Sequence, residues 1–263
     1  MGSNCSRLIL PNGKPPRARI STRQNGDTTI NTLIDAFTEA LRLITTLDPA
    51  VLEIVGRSLQ VTLGALFIST LIGVPLGTWF ALVNFPAKRV FTAFIYTGMG
   101  LPPVVVGLVV YLFLSRSGPL GDLGWLFSVP AMIIAQTIIA TPLIIGVTLS
   151  SVLSVDPALR TQLESLGATR VQSTLALLYE ARFGLVVGLV AGFGSIISEV
   201  GAVMLVGGNI DGQTRVLTTA VVLETRRGNF DLALAFGIIL LTLSFMTNAA
   251  LVILQGQAGR RTA

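Results

Sequence analysis

Histidine is absent from this sequence, and cysteine occurs once, at Cys5. The first absence excludes a histidine-based catalytic centre or proton relay. The second rules out an internal disulfide and a cysteine metal cluster. Cys5 follows no apolar signal region, so it is not read as a lipid-attachment site, and no secretory leader is expected. Charge is also scarce. Asp, Glu, Lys and Arg make up 12% of the 263 residues, against about a quarter in a soluble domain. The net charge of +5 is spread over polar connections and is not the concentrated footprint of a nucleic-acid binder. A phosphate-cradling Gly-x-x-x-x-Gly-Lys-Ser/Thr loop is missing, and Gly13-Lys14 runs straight into Pro15. The chain is therefore not expected to bind or hydrolyse ATP by itself.

What is present is apolar length. Hydrophobic residues make up 52% of the chain and the mean hydropathy is +0.77. Five runs reach the ~20 residues that cross ~30 Å of hydrocarbon as a helix: about 58–83, 91–114, 129–151, 183–206 and 232–254. Isolated strands cannot satisfy their backbone in lipid, so the expected class is an all-α membrane protein with five transmembrane helices. Residues 1–27 are polar, basic and rich in proline and glycine, and read as a disordered basic tail. Within residues 28–53, Ile30, Leu33, Ile34, Phe37 and Leu41 recur at spacings of three and four, with Asp35, Glu39 and Arg42 between them. This is an amphipathic helix that either lies in the membrane interface or packs on the protein's own spans. Asp48-Pro49 then restarts a helix that leads into the first span. Residues 54–255 form the membrane domain and 256–263 a tail. No internal repeat of the kind many secondary transporters show is visible, nor are acids paired within the spans.

The polar break between the third and fourth runs has its own logic. Asp156 is suited to accept from the N–H groups of a first helical turn, Pro157 fits the first helical position, and Gly167 fits the left-handed position past the end. A short capped surface helix is predicted there, either as a docking element or as an ordinary connector. Between spans four and five, Thr214–Thr225 reads as another short helix.

Inside the spans, Gly184, Gly188 and Gly192 share one helical face, which allows close helix approach or lines a pore. Pro75, Pro102, Pro103 and Pro142 each remove a helical hydrogen bond and favour a kink. Glu199 is the one acid within the five runs. At mid-membrane it would cost ~2.5–3.5 kcal/mol, so it requires a hydrogen-bond network or a cation such as Arg215. Thr141, Ser195 and Ser198 offer hydroxyls to a polar path or to their own helix backbone.

The break 155–170 and its continuation to Tyr179-Glu-Ala-Arg182, with Leu166-Gly167-Ala168 at the turn, resemble the EAA loop of ABC importer permeases. Thr161-Gln162-Leu163 stands where that family has Glu-Ala-Ala, and Glu180 where it has proline. Gly100–Leu108, Ser117–Gly121, Ser198–Ala202 and Gly207–Arg215 look like the molybdate/sulfate/tungstate branch. Thr214–Arg226 and the span count are most similar to its tungstate-type members. The resemblance implies a type I ABC importer permease fold in the cell (inner) membrane, with the 155–170 loop and the 256–263 tail facing the cytoplasm. It implies a non-catalytic subunit that pairs with a second copy of itself. Two ABC ATP-binding subunits carrying ATP-Mg and an extracytoplasmic oxyanion-binding protein would complete the assembly, and this chain would hold no cofactor of its own. Asp156, Pro157, Arg160, Glu164, Gly167 and Ala168 would couple to the ATPase. Pro102, Pro103, Thr141, Ser195, Ser198 and Glu199 would flank the path or gate. Asn209, Thr214 and Arg215 would lie on the outer loop, where they could meet the binding protein. The cargo would be tungstate, with molybdate or sulfate as alternatives within the branch. An ATP-independent anion channel or carrier and a non-transporting membrane scaffold are the readings outside it.

Overall fold

The computed structural model describes residues 37–38, 41–42 and 49–259, with side chains omitted at 250–252 and 254–259. The basic tail 1–27, most of the amphipathic segment, Asp48, and residues 260–263 lie outside the described residues. The described residues of the amphipathic segment are helical, with Phe37 and Leu41 exposed. Ten α-helices and one 3-10 turn make up the described regular structure, and no strand occurs among the described residues.

Helix α1 (Pro49–Leu82) runs through Pro75. Its 34 residues extend about 51 Å, more than the hydrocarbon needs. The first turns therefore project beyond the bilayer core, and the expected domain boundary at residue 54 falls inside one continuous helix. A cluster of Trp79, Phe80, Phe85 and Phe91 closes its other end, with Trp79 and Phe85 stacked at 5.4 Å. Amphipathic aromatics of this kind favour the membrane–water boundary.

The second apolar run is not one straight helix. It divides into α2 (Lys88–Met99) and α3 (Pro103–Leu114), which meet at 96°. The cause is local. Pro102 and Pro103 have no N–H to continue the helix, and Pro102 disfavours helical torsions at Leu101. After a 3-10 turn (Gly121–Leu123), α4 (Val129–Leu153) runs unbroken through Pro142. The polar connection then forms α5 (Pro157–Ser165) and α6 (Arg170–Glu180). The fourth run is also interrupted. Helix α7 (Arg182–Ile197) stops at Ser198, and α8 (Gly201–Gly207) resumes after Val200. Helix α9 (Leu217–Arg227) replaces the expected 214–225 helix, because Thr214 is used inside the preceding loop. Helix α10 (Phe230–Gly259) continues past the expected end of the fifth span. Three helices are long and apolar enough to cross alone, and up to five crossings result if α2 with α3, and α6 with α7, which meet at 65°, each count as one.

Helix α4 is the axis of the packing. Half of its most apolar window is buried, against 28% for α1 and 22% for α10. Ala131, Met132, Ala135 and Ala140 are fully enclosed on it. The small residues predicted on span four pack here. A Cβ at Gly188 would meet Val147 at 2.7 Å, and one at Gly184 would collide with Ser151. The glycine face is thus a helix-packing surface between α7 and α4.

Candidate functional site

The polar segment from Asp156 to Arg182 folds as an elbow whose caps are all made locally. Asp156 Oδ1 accepts from Ala158 N at 2.8 Å, and Pro157 occupies the first helical position. At the far end Gly167 N donates to the Glu164 carbonyl at 3.1 Å and Ala168 N to the Leu163 carbonyl at 3.0 Å. This reciprocal pattern requires a left-handed residue, and Gly167 has φ +74. The next helix starts at once. Thr169 Oγ1 accepts from Gln172 N at 3.3 Å, while Thr169 N donates to Gln172 Oε1 at 2.8 Å. Thr169 was missed in the sequence, although Thr-x-x-Gln is a legible capping-box signal.

No residue of α5 is buried. Arg160 and Glu164 pair at 3.2 Å, one helical turn apart and mostly exposed. Such a pair contributes about 0.3–0.5 kcal/mol and chiefly holds the two side chains in register. Leu166 at the tip is 83% exposed, and Val171, Leu175 and Tyr179 continue an exposed apolar line along α6. Arg182 lies over Tyr179 at 4.1 Å and over Phe183 at 4.3 Å, closing the elbow against α7. Two hollows flank it. One of about 840 Å³ is lined by Trp79, Asn84, Arg160, Glu164, Arg170 and Leu177. The other, about 530 Å³, reaches Asp156, Glu180 and Gly184. The arrangement is a preformed projection with no unpaired cap and an apolar tip, a geometry suited to insertion into another protein.

A second constellation joins the two interrupted spans. A Cβ on Gly107 of α3 would come within 2.6 Å of Ala202 Cα on α8, and one on Gly201 within 2.5 Å of Val104. The first turns of α3 and α8 therefore pack closely, Gly107 against the Ala202 backbone and Gly201 against the Val104 side chain. Glu199 Oε1 accepts from Ala202 N at 3.0 Å, so its carboxylate caps α8. The alternative pairing of Glu199 with Arg215 is not formed, since Arg215 binds Asp211 at 2.6 Å. Ser198 Oγ donates to Gly194 and Ser195 carbonyls, and Thr141 Oγ1 donates to the Thr137 carbonyl at 2.7 Å. Those two hydroxyls serve their own helices, whereas Ser195 is exposed. Thr141 precedes Pro142, which lies against Gly98 at the end of α2, beside the break in the second span.

Gln136 was missed. It is 3% exposed, and its Nε2 donates to the Ile196 carbonyl at 2.9 Å. One amide inside an apolar run gives no pattern in sequence. Also missed was Glu224, a buried acid on α9 held by Arg227 at 2.9 Å and Asn229 at 2.8 Å. Ser58 is a third. It accepts from Leu217 N at 2.8 Å and so fastens α9 to α1.

In the loop between α8 and α9, the three residues expected on the outer loop are buried or half-buried. Thr214 is 1% exposed, and its hydroxyl accepts from Ile210 N at 2.9 Å and donates to the Gly207 carbonyl. Asn209, at φ +53, is half-buried and points its amide to the Thr219 carbonyl at 3.5 Å. Both brace the loop from within. Asp211, Gly212 and Gln213 form its exposed rim.

The family described as binding-protein-dependent transport system inner membrane component matches residues 73–259, which contain the elbow and both breaks. The chain belongs to this family. It is 46% identical over 202 residues to a probable anion ABC transporter permease protein of Haloferax volcanii, covering 75% of this chain and 87% of that one. It is 39% identical over 223 residues to the tungstate uptake system permease protein of Peptoclostridium acidaminophilum, covering 85% and 98%. Among solved structures, a bacterial alginate ABC transporter in complex with an alginate-bound periplasmic protein superposes with a TM-score of 0.69 at 20% identity, over 91% and 90% of the two chains. That likeness carries the fold. The permease has the type I ABC importer architecture and is a multi-pass membrane protein. Its elbow lies between spans three and four of that architecture.

Proposed function

We propose that the chain is the membrane-spanning subunit of an ATP-driven importer for a tetrahedral oxyanion, with tungstate as its cargo. Two copies form the path between them. ABC ATPase subunits carrying ATP-Mg receive the elbow on the cytoplasmic side, and a binding protein delivers the anion outside. The observation that carries this reading is the elbow, a helix with every cap satisfied, no buried residue and an 83% exposed leucine at its tip. An ordinary connector gains nothing from presenting such a surface. Relatedness to a tungstate uptake permease across 98% of that protein's length supports the cargo. The dianion needs polar donors along its route because it cannot enter hydrocarbon unescorted. Closure of the ATPase pair drives the bundle only through contacts that differ between its two forms.

The test is uptake into vesicles containing the permease with its ATPase and an oxyanion-loaded binding protein. ATP-dependent tungstate accumulation is expected, with none when the ATPase is omitted. Accumulation without the ATPase would assign a passive channel or carrier. No accumulation by the complete assembly, with tungstate, molybdate or sulfate, would overturn transport.

A further inference from the structure

We propose that Gln136 is a positioning residue for a two-state joint in the fourth span, holding the break at Ser198–Val200 open by occupying the Ile196 carbonyl. The inference rests on the transport reading for its functional consequence. Its structural basis stands on the geometry alone.

In an unbroken α-helix the Ile196 carbonyl accepts from the N–H of Val200, four residues on. Here α7 ends early. Glu199 N takes that carbonyl at 3.2 Å in a tighter turn, and Gln136 Nε2 reaches it across from α4 at 2.9 Å. The amide is thus a second donor on a carbonyl that keeps only a tight backbone turn, the way side chains support interrupted helices in membranes. Val200 already has near-helical torsions, φ −111 and ψ −48, and Ser198 lies at φ −85, ψ −3. Straightening would exchange Glu199 N for Val200 N at the carbonyl and turn that carbonyl along the helix axis, away from Gln136.

The amide is committed to this one bond. Gln136 is buried among Met132, Ala135 and Ala140, and its Oε1 has no partner. The neighbouring Thr137 Oγ1 has none either. An apolar setting makes an unbonded amide costly, so the surroundings favour whichever form keeps the bond. The joint also reaches beyond its own span. Glu199 caps α8, its carbonyl accepts from Thr218 of α9 at 3.1 Å, and α8 lies against α3 at Gly107 and Gly201. A change at Ser198–Val200 therefore moves α8 and α3 as one block, beside Pro102 and Pro103.

Two substitutions in the complete assembly test the joint. Gln136→Leu keeps the volume and removes the donor. ATP-driven tungstate uptake per inserted permease should fall several-fold, up to about tenfold, the scale of one lost buried hydrogen bond. Gln136→Glu replaces the amide with an acid that can donate only when protonated. Its uptake relative to wild type should rise as the pH is lowered from about 9.5 to about 6, reversibly in the same vesicles. Glu199, whose N–H shares the Ile196 carbonyl with Gln136, is a charged group at the joint itself. The packed helices otherwise bring Glu53 and Arg57 (α1), Lys88, Arg89 and Tyr96 (α2), Tyr111 (α3) and Arg182 (α7), all present in the wild type used as reference. A general loss of packing would not reverse with pH. Amide hydrogen exchange of a peptide spanning 197–203, which requires no cargo, should be altered in Gln136→Leu. Wild-type exchange there, wild-type uptake by Gln136→Leu, or a flat pH ratio for Gln136→Glu would overturn the joint. Failure of the wild-type assembly to take up any oxyanion would instead overturn the transport reading and leave the exchange result to decide the joint.

Discussion

Gly167 shows how much one backbone angle can carry. Its Cβ position is open, with nothing within 4 Å, so a substitution there is not opposed by a clash. The opposition comes from φ +74, which costs most side chains about 1–2 kcal/mol and costs asparagine less. Aspartate adds a negative charge at the carbonyl end of α5, beside Glu164, where the helix dipole already disfavours it. Gly167→Asp should abolish uptake while leaving the permease inserted, and Gly167→Asn should retain most of it. Equal uptake by both, at equal membrane amounts, would show that the turn is not what matters. Glu224 makes a different residue-scale prediction. Replacing it with alanine strands Asn229 and Arg227, and should destabilise the α9–α10 corner by about 1–3 kcal/mol, readable as a lowered Tm of the purified permease.

At the scale of elements, glycines divide by what stands opposite them. Gly107 faces the Ala202 backbone at 2.6 Å, which cannot retract, whereas Gly194 faces open space. Gly107→Val should force α3 from α8 and eliminate transport. Gly194→Ala should be neutral or gain up to about 1 kcal/mol from helix propensity. Uptake by Gly107→Val at the wild-type rate would disprove the close contact. The same contrast explains what could be read in advance. The elbow was legible because Asp156, Pro157 and Gly167 carry their structural meaning locally. The five apolar runs were legible because length alone decides them. Proline announced the break in the second span, but as a kink, because sequence does not give the angle. The break at Ser198–Val200 left no such mark. It depends on Gln136 and Thr218, which lie 60 and 19 positions from Ile196 and Glu199 along the chain and meet them only after folding. Thr214 and Asn209 look like surface residues by type, yet the loop folds over them.

At the scale of the molecule, the arrangement makes one claim about sidedness. The elbow and the 208–216 loop stand at opposite ends of the fourth span. With Cys5 replaced by serine, the chain has no native cysteine. Single cysteines at Leu166 and Gly212, both exposed, should then react with a membrane-impermeant maleimide from opposite sides. Gly212→Cys should label in intact cells and Leu166→Cys only after the membrane is opened. Labelling of both from one side would contradict the crossing pattern.

The elbow's self-sufficiency has an evolutionary corollary. Asp156, Gly167 and Thr169 secure its shape from within, so the outward residues Thr161, Gln162 and Leu166 are released from any duty to the scaffold. They can change without cost to the hinge that supports them, so a differently shaped partner is met by rewriting a handful of outward positions.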